Sequence, residues 1–398
     1  MVTYSQNIKN EQVTNNIKII SKNDTLGENY LKRNKSIDIL RAGALLIVLT
    51  YHLWVLTGSV AIMLPIVDTI VPLGGELGVT LFFLLSGYGI YYSLKITEQK
   101  NGKIKYLVFL KKRLKRILPQ YYFNLIFLLL FTGAAVYLSV EHILDILTHF
   151  LLIHNLFPDY HGAINGVLWT MGVIFQFYLV AIPIYSFIKK SKGIGVIVSI
   201  VVTILIKTLV FQKILVRFGD VSGVGFFAGR QLITSLDNFV IGMGVAYINC
   251  NYKVKIKNVW LYIGTIISLG YIYFICKLGF RYGIHTNNLS GYTWHSLIAI
   301  GLGAVMFFLS YIHTNENNLF AKLFLWISKY EYGIYIWHLV LWKNLLDNST
   351  LIQSINVKLV WIILLVIAII VGFIISEFVD GFEKDKIFIR KYQKTDKK

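Results

Sequence analysis

Charged residues are scarce in this chain. Only 15% of its 398 residues are Asp, Glu, Lys or Arg, and 56% are hydrophobic, whereas soluble proteins are about a quarter charged. Cysteine is scarce too: Cys250 and Cys276 form no CxxC or Cys/His spacing, which argues against a secreted disulfide scaffold and leaves the redox compartment undecided. Residues 1–36 are polar and contain no apolar signal-peptide core. A soluble enzyme and a β-barrel also fit this composition poorly.

The chain contains many long apolar runs. A helix of about 20 apolar residues crosses the hydrocarbon core of a bilayer, and such runs recur along the whole chain. The pattern predicts an all-α, polytopic membrane helical bundle of about ten transmembrane helices. We place these at residues 38–58, 70–94, 118–140, 166–188, 194–212, 228–249, 259–277, 292–312, 320–343 and 357–378. The apolar segment Ile143–Phe157 is too short to cross and is predicted to be re-entrant or interfacial.

The positive charges predict the orientation of the bundle. Lys95–Arg116 contains nine Lys and Arg residues, whereas Gly58–Gly75 and Glu141–Val167 contain none. Because positive loops stay in the cytoplasm, both termini are predicted to be cytoplasmic. Three residues fall in loops that this topology places outside: Lys213, Arg217 and Arg281. The net charge of +19 is therefore interpreted as orientation and contact with anionic lipid, and nucleic-acid binding is not expected.

The chain divides into three parts on this interpretation. Residues 1–36 form a polar cytoplasmic segment, residues 37–382 the transmembrane domain, and residues 383–398 a basic cytoplasmic tail. We detect no internal repeat and no linker to a further domain. The chemistry is therefore expected inside the membrane or at its faces.

The first predicted span carries ionisable residues, which are costly in a membrane and mark functional candidates. Arg41 and His52 are 11 residues apart, which places them within roughly 20° of each other on one helical face and about 16 Å apart along it. Asp38 lies one turn before Arg41 and could pair with it. His52 is a candidate base, because an imidazole accepts a proton near neutral pH. A snorkelling arginine and a structural histidine are the alternatives.

A metal site is not expected. Four histidines cluster in sequence, but no acidic or cysteine partner completes a recognisable ligand set. They are His142, His149, His154 and His161. We interpret this cluster as the lining of an outer vestibule.

Five motifs, in order along the chain, resemble those of the acyltransferase-3 family of integral membrane acyltransferases. They are Arg41 with His52, Gly74–Ile90, Arg113–Tyr122, Leu168–Pro183 and Ile327–His338. The resemblance runs from about Ile37 to Phe382. It implies a multi-pass enzyme of a bacterial plasma membrane that transfers an acyl group, usually acetyl, from cytoplasmic acyl-CoA. The implied acceptor is a hydroxyl of a membrane-associated or extracytoplasmic glycan.

The resemblance also implies roles for individual residues. His52 corresponds to the catalytic base or acyl carrier, and Arg41 to the group that holds the thioester. Asp38 joins the catalytic candidates because its spacing allows it to pair with Arg41, not because of the resemblance. Arg113 and Arg116 suit the CoA phosphates, because guanidinium groups bind phosphate bidentately, although they could serve topology alone. The candidate substrate-binding residues are Ser86, Trp169, Gln176, Tyr178, Glu331 and His338. For His338 a structural hydrogen bond is the main alternative, and for Trp169 an anchor at the membrane interface.

Two positions depart from the family pattern. The family usually has an acidic residue five positions after the tryptophan that corresponds to Trp169, where this chain has Ile174. It also often has Asp where this chain has Thr80. Glu331 or Glu76 could supply the missing carboxylate from elsewhere in the bundle.

Two other functions stay open at this point. A transporter or flippase for a lipid-linked glycan or small solute also buries Arg, His and Asp, but often shows internal repeats. A non-catalytic relative would be consistent with Ile174. Some family members pass the acyl group to an added hydrolase-like domain; none is found here, so transfer is expected at the membrane or through a separate protein. The acceptor, the acyl chain and any homo-oligomer are undetermined.

Overall fold

A computed structural model describes residues 34–59, 64–132, 140–218, 227–282, 290–349, 352 and 355–395, and these contain no β-strand. The helices are α1 Lys35–Leu56, α2 Pro65–Ile70, α3 Gly74–Asn101, α4 Tyr106–Phe127, α5 Ile143–Phe150, α6 Trp169–Lys190, α7 Ile194–Phe218, α8 Leu232–Asn251, α9 Asn258–Tyr282, α10 Ser290–Ser310, α11 Leu319–Asn348 and α12 Val357–Thr395. A π-helical turn, Leu128–Thr132, extends α4. The predicted N-terminal segment lies almost entirely outside the described residues. Residues 383–395 of the predicted basic tail belong to α12, and residues 396–398 lie outside the described part of the chain.

Eight stretches of the described residues are long and apolar enough to cross a membrane. They are Lys35–Leu56, Ile66–Asn101, Trp169–Lys190, Ile194–Ile214, Phe227–Asn251, Asn258–Gly279, Thr293–Ser310 and Val357–Gly381. Their outer faces are apolar and exposed: on α12 the exposed side chains recur every four residues, at Ile362, Val366, Ile370 and Ile374. An exposed apolar stripe of this length suits lipid and not water. The predicted all-α, polytopic membrane fold is confirmed.

Helices α4 and α11 correspond to the other two predicted spans, but their polar residues make them too hydrophilic for that set. Helix α4 begins at Tyr106, 12 residues before the predicted span, because its basic first half is helical as well. The end of that predicted span, residues 133–139, lies outside the described part of the chain. The polar residues of these two helices include several of the predicted site residues.

Two contacts fix the relative direction of α1 and α11. Arg41 pairs with Glu331 and, further along both helices, His52 bonds to His338. The two helices therefore run in the same direction across the bundle. Parallel neighbours need an odd number of crossings between them, and six of the eight apolar stretches lie between α1 and α11. Helix α4 supplies the seventh, which supports the predicted total of ten.

The predicted non-crossing segment after α4 contains the short helix α5. Its eight residues span about 12 Å, far less than the roughly 30 Å of the hydrocarbon core. Tyr121 and Tyr122 of α4 donate hydrogen bonds to the carbonyl groups of His149 and Phe150, at 2.9 and 2.8 Å. Helix α5 is thus held against the side of α4.

Helix α3 lies at the centre of the bundle and packs closely on α8. A Cβ atom on Gly87 of α3 would collide with the backbone of Phe239, and one on Gly242 of α8 with the backbone of Leu84. Small residues allow this kind of backbone approach between membrane helices. On the other side of α3, Gly78 makes similar room for Val48 of α1. These contacts bring α1, which carries His52, against the central helix.

A buried ion pair joins α7 to α8. Lys207 Nζ lies 2.6 Å from Asp237 Oδ2, and Ser296 of α10 bonds to both residues. Both charged side chains are almost completely buried. Lys207 and Asp237 are 30 positions apart in sequence and lie on different helices, so local spacing does not show that they pair.

We expect Asp237→Ala to lower the free energy of unfolding by about 3–5 kcal/mol, because it leaves the Lys207 charge buried without a counter-ion. Removing both charges, with Lys207→Met and Asp237→Leu, should restore most of the loss. Thermal unfolding of the detergent-solubilised protein measures both variants. Equal destabilisation by the single and the double variant would show that the pair is not the source.

Candidate functional site

The bundle has two chemically different ends. The basic end is the one where α3 ends and α4 begins, and the far end is the opposite one. At the basic end Glu98 of α3 pairs with Lys189 at the end of α6, and Lys95 bonds to Asn251 at the end of α8. Helices α3, α6 and α8 therefore all begin at the far end, and His52, four residues before the end of α1, lies toward that end as well.

A cavity of about 90 Å³, the inner cavity, opens among α1, α3, α4, α6 and α11. It brings together six of the predicted site residues. They are Arg41, Ser86, Arg113, Arg116, Tyr178 and Glu331. The six residues lie on five different helices. Residue spacing within one helix therefore could not show that they converge.

Arg41 is held in the inner cavity by two partners. Its Nη1 lies 3.2 Å from Glu331 Oε1, and its Nη2 donates to the Leu85 carbonyl at 3.3 Å. Gly89 leaves space for the guanidinium, since a Cβ atom there would lie 3.2 Å from Nη2. The expected pairing with Asp38 is not the one found: the carboxylate on Arg41 comes from α11, 290 residues away. Tertiary packing provides a closer partner than the neighbouring turn does.

The carboxylate of Glu331 also bears on the missing family acid. Ile174 of α6 stands where the family usually has an acidic residue, and it lines the inner cavity together with Glu331. The cavity therefore contains a carboxylate, which α11 supplies instead of α6. Glu331 Oε2 is buried and has no hydrogen bond to any described residue. Glu76, the other candidate, lies at the far end.

Two histidines meet beyond the inner cavity toward the far end. His52 Nδ1 lies 2.8 Å from His338 Nε2, and His338 Nδ1 lies 2.6 Å from the carbonyl oxygen of Tyr335. His338 is fully buried. It contacts His52 and lines neither the inner cavity nor the far cavity described below.

These contacts define the hydrogen positions of the neutral rings. A carbonyl oxygen only accepts, so Nδ1 of His338 carries the hydrogen and its Nε2 accepts. Nδ1 of His52 must then be the donor, which leaves a lone pair on Nε2 of His52. A histidine oriented in this way by a second group is the usual arrangement of a catalytic base.

A second cavity of about 30 Å³, the far cavity, lies at the far end. Arg230 lies over the ring of Trp169, 4.8 Å from its centroid, and its Nη2 is 3.6 Å from Glu76 Oε1. His295 Nδ1 lies 3.6 Å from the other oxygen of Glu76. Arg230 is also near enough to His52 for the charges of the two groups to interact. Sequence reasoning missed Arg230, whose only signal is a cation within the first residues of the predicted span 228–249.

Trp169, a predicted substrate-binding residue, lines the far cavity. Arg230 lies over its ring, and His161 stacks on it at 5.5 Å. Gln176 donates to Asn155 Oδ1 at 2.9 Å and lines neither cavity. It ties α6 to the loop that follows α5.

The histidine cluster does not line a vestibule as predicted. His149, His154 and His161 are buried, and the rings of His149 and His154 stack at 4.0 Å. His142 bonds instead to Asp145 at 2.6 Å. Among the described residues no group of three His, Cys, Asp or Glu side chains is placed to hold a metal ion.

The fold and this site define a polytopic helical membrane protein with two hydrogen-bonded histidines and two separate cavities lined by polar residues. Residues 34–377 match the family model Acyl_transf_3, described as an acyltransferase domain. The chain therefore belongs to the acyltransferase-3 family, and the resemblance drawn from its motifs is confirmed.

Curated relatives include two bacterial proteins. The chain is 25% identical over 363 residues to "Peptidoglycan O-acetyltransferase OatA" of Listeria monocytogenes serovar 1/2a, a match that covers 86% of this chain and 54% of the relative. It is 28% identical over 284 residues to "O-acetyltransferase OatA" of Staphylococcus aureus NCTC 8325, with 67% and 45% covered. The chain thus spans about half the length of these relatives. No solved structure gives a significant match.

Proposed function

We propose that this protein is an O-acetyltransferase of a bacterial plasma membrane, which moves an acetyl group from cytoplasmic acetyl-CoA to a hydroxyl of a cell-surface glycan. The observation that carries the proposal is the hydrogen bond between His52 Nδ1 and His338 Nε2, which leaves the lone pair on His52 Nε2 free to accept a proton. The family membership supports acyl transfer. The names of the relatives support acetyl as the group and a glycan as the acceptor.

The inner cavity suits the donor. Arg113 and Arg116 lie toward the basic end, the end that the positive-inside rule assigns to the cytoplasm. Arg41, oriented by Glu331, presents N–H groups in the same cavity. Because Arg41 lies about 16 Å along α1 from His52, these N–H groups suit the arm of the donor that carries the thioester and not the reacting carbonyl oxygen.

His52 would act as the base in a direct transfer. As the acceptor oxygen attacks the thioester carbonyl carbon, Nε2 of His52 takes the hydroxyl proton and the carbonyl electron pair moves to oxygen. The carbonyl then re-forms and the C–S bond breaks. The sulfur leaves with the bonding pair and takes the proton from His52. The charged imidazolium formed meanwhile keeps its Nδ1–H bond to His338.

The same lone pair permits a two-step route. Nε2 attacks the carbonyl carbon, the C–S bond breaks, and the thiolate leaves and takes a proton from water. The acceptor oxygen then attacks the acetyl group on His52, and its proton passes to water as the imidazole is released. An acetyl-His52 intermediate distinguishes this route from the direct one.

The far cavity suits the acceptor. Glu76, Arg230 and His295 offer both donors and acceptors of hydrogen bonds, as sugar hydroxyls require. Each of the three side chains is between one fifth and one third exposed, which suits contact with a bound acceptor. Arg230 is near enough to His52 for their charges to interact, and a hydroxyl bound in this cavity would lie on the side away from the donor arginines.

The test is transfer of labelled acetyl from acetyl-CoA by membranes that contain the protein, followed by separation of glycan, protein, lipid and water fractions. We expect label in the glycan fraction above the level of membranes without the protein. Label in water alone would indicate hydrolysis without this acceptor. Failure both to transfer acetyl and to bind CoA would contradict the proposal and favour a transporter or a non-catalytic relative.

A further inference from the structure

A third cavity lies at the basic end, in the angle between the end of α3 and the start of α4. Its volume is about 610 Å³, within the range of small-molecule sites. We call it the basic cavity. Its polar lining residues are Ser93, Thr97, Asn101, Lys103, Lys105, Lys112 and Arg113.

The basic cavity has a strong excess of positive charge. Four of its lining residues are cations and none is acidic. The three lysines form no ion pair with any described residue, and the nearby Glu98 is occupied by Lys189 and Tyr185. Arg113 also faces the like charges of Arg41 and Arg116. Like charges held together repel each other, and a polyanion would relieve that repulsion.

The basic cavity and the inner cavity share one wall. Arg113 lines both of them. Their volumes differ about sevenfold, so the inner cavity accepts only a narrow chain while the basic cavity accepts a bulky group. A ligand that fills both has a wide, multiply charged head and a thin arm that leads toward Arg41.

Acyl-CoA has this shape, because its nucleotide carries three phosphate groups and its acyl group sits at the end of a thin pantetheine chain. We propose that the basic cavity binds the phosphorylated nucleotide of the donor, with Lys103, Lys105 and Lys112 on its phosphates and Arg113 at the start of the arm. This rests on the proposed function. The first turn of α4 adds free N–H groups, because its N-cap residue, Lys105, provides no side-chain cap.

A comparison of two donors tests the assignment. Acetyl-pantetheine carries the acetyl thioester without the nucleotide. In the variant Lys105→Gln/Lys112→Gln we expect the KM for acetyl-CoA to rise about tenfold or more, the kcat to change little and the KM for acetyl-pantetheine to stay the same. The matched control, Lys111→Gln/Lys115→Gln, removes the same charge from residues of α4 outside the cavity and should leave both KM values unchanged.

The other outcomes overturn the assignment. An unchanged KM for acetyl-CoA, an equal rise for both donors or an equal rise in the control variant would each do so. If the wild type uses neither donor, the proposed function fails. Binding of adenosine 3′,5′-bisphosphate, measured by calorimetry, then tests the nucleotide site independently of acetyl transfer. Binding that is lost in Lys105→Gln/Lys112→Gln and kept in the control supports the basic cavity; no binding to the wild type rejects it.

Discussion

The variant His52→Ala is expected to lower the rate of acetyl transfer by about 10²–10⁴-fold, the range that a positioned general base contributes. The reason is geometric. The His52 ring donates through Nδ1 to His338 and leaves Nε2 as the group that takes the proton or carries the acetyl. Steady-state kinetics with labelled acetyl-CoA measure the loss.

Two controls separate chemistry from folding. His142→Ala removes a histidine that bonds to Asp145, outside both cavities, and should transfer acetyl at the wild-type rate. Thermal unfolding should show His52→Ala as stable as this control. Retention of more than half the wild-type rate by His52→Ala would remove His52 from the chemistry. Exchange of labelled CoA into acetyl-CoA without acceptor separates the two routes: exchange by the wild type indicates the carrier, and its absence indicates the base.

The second large effect is expected at His338, as a positioning residue. His338→Met removes the acceptor that fixes the His52 ring, and should lower kcat about 10–100-fold, the size found for groups that orient other functional histidines. The KM for acetyl-CoA should stay nearly constant, because His338 is fully buried and lines neither cavity.

His338→Gln is the matched variant. Its side-chain amide oxygen can accept a hydrogen bond near the position of Nε2, so it should recover much of the kcat that His338→Met loses. A purely structural role predicts a different result, in which both variants lose stability and activity in proportion. Equal kcat values for the two variants would rule out orientation of His52 through this bond.

Helical periodicity was sufficient to place Arg41 and His52 on one face, because both lie on one helix whose geometry depends only on local spacing. It could not find their partners. Glu331 and His338 belong to a helix almost 300 residues away, so the only carboxylate that local spacing could offer Arg41 was that of Asp38. The pairing depends on how α11 packs against α1, which no local pattern records.

Hydropathy predicted the apolar helices well and the polar ones less well. Helix α4 begins at Tyr106 because its basic first half is helical yet too charged to count as a span. Lys207 and Asp237 each interrupt an apolar run, which marks both as unusual residues in a span. Spacing alone does not show that they contact each other. Gln176 differs again: its partner, Asn155, lies in a loop without a repeating pattern.

The central claim is that donor and acceptor reach one histidine centre from opposite ends of the bundle. Its most direct test uses proteoliposomes of known orientation, with labelled acetyl-CoA on the side of the basic end and a glycan acceptor on the other. We expect labelled acceptor only in this arrangement, with acetyl-CoA itself kept on its own side. Movement of intact acetyl-CoA or acceptor across the membrane without acetyl transfer, or equal transfer with the donor at the far end, would contradict the account.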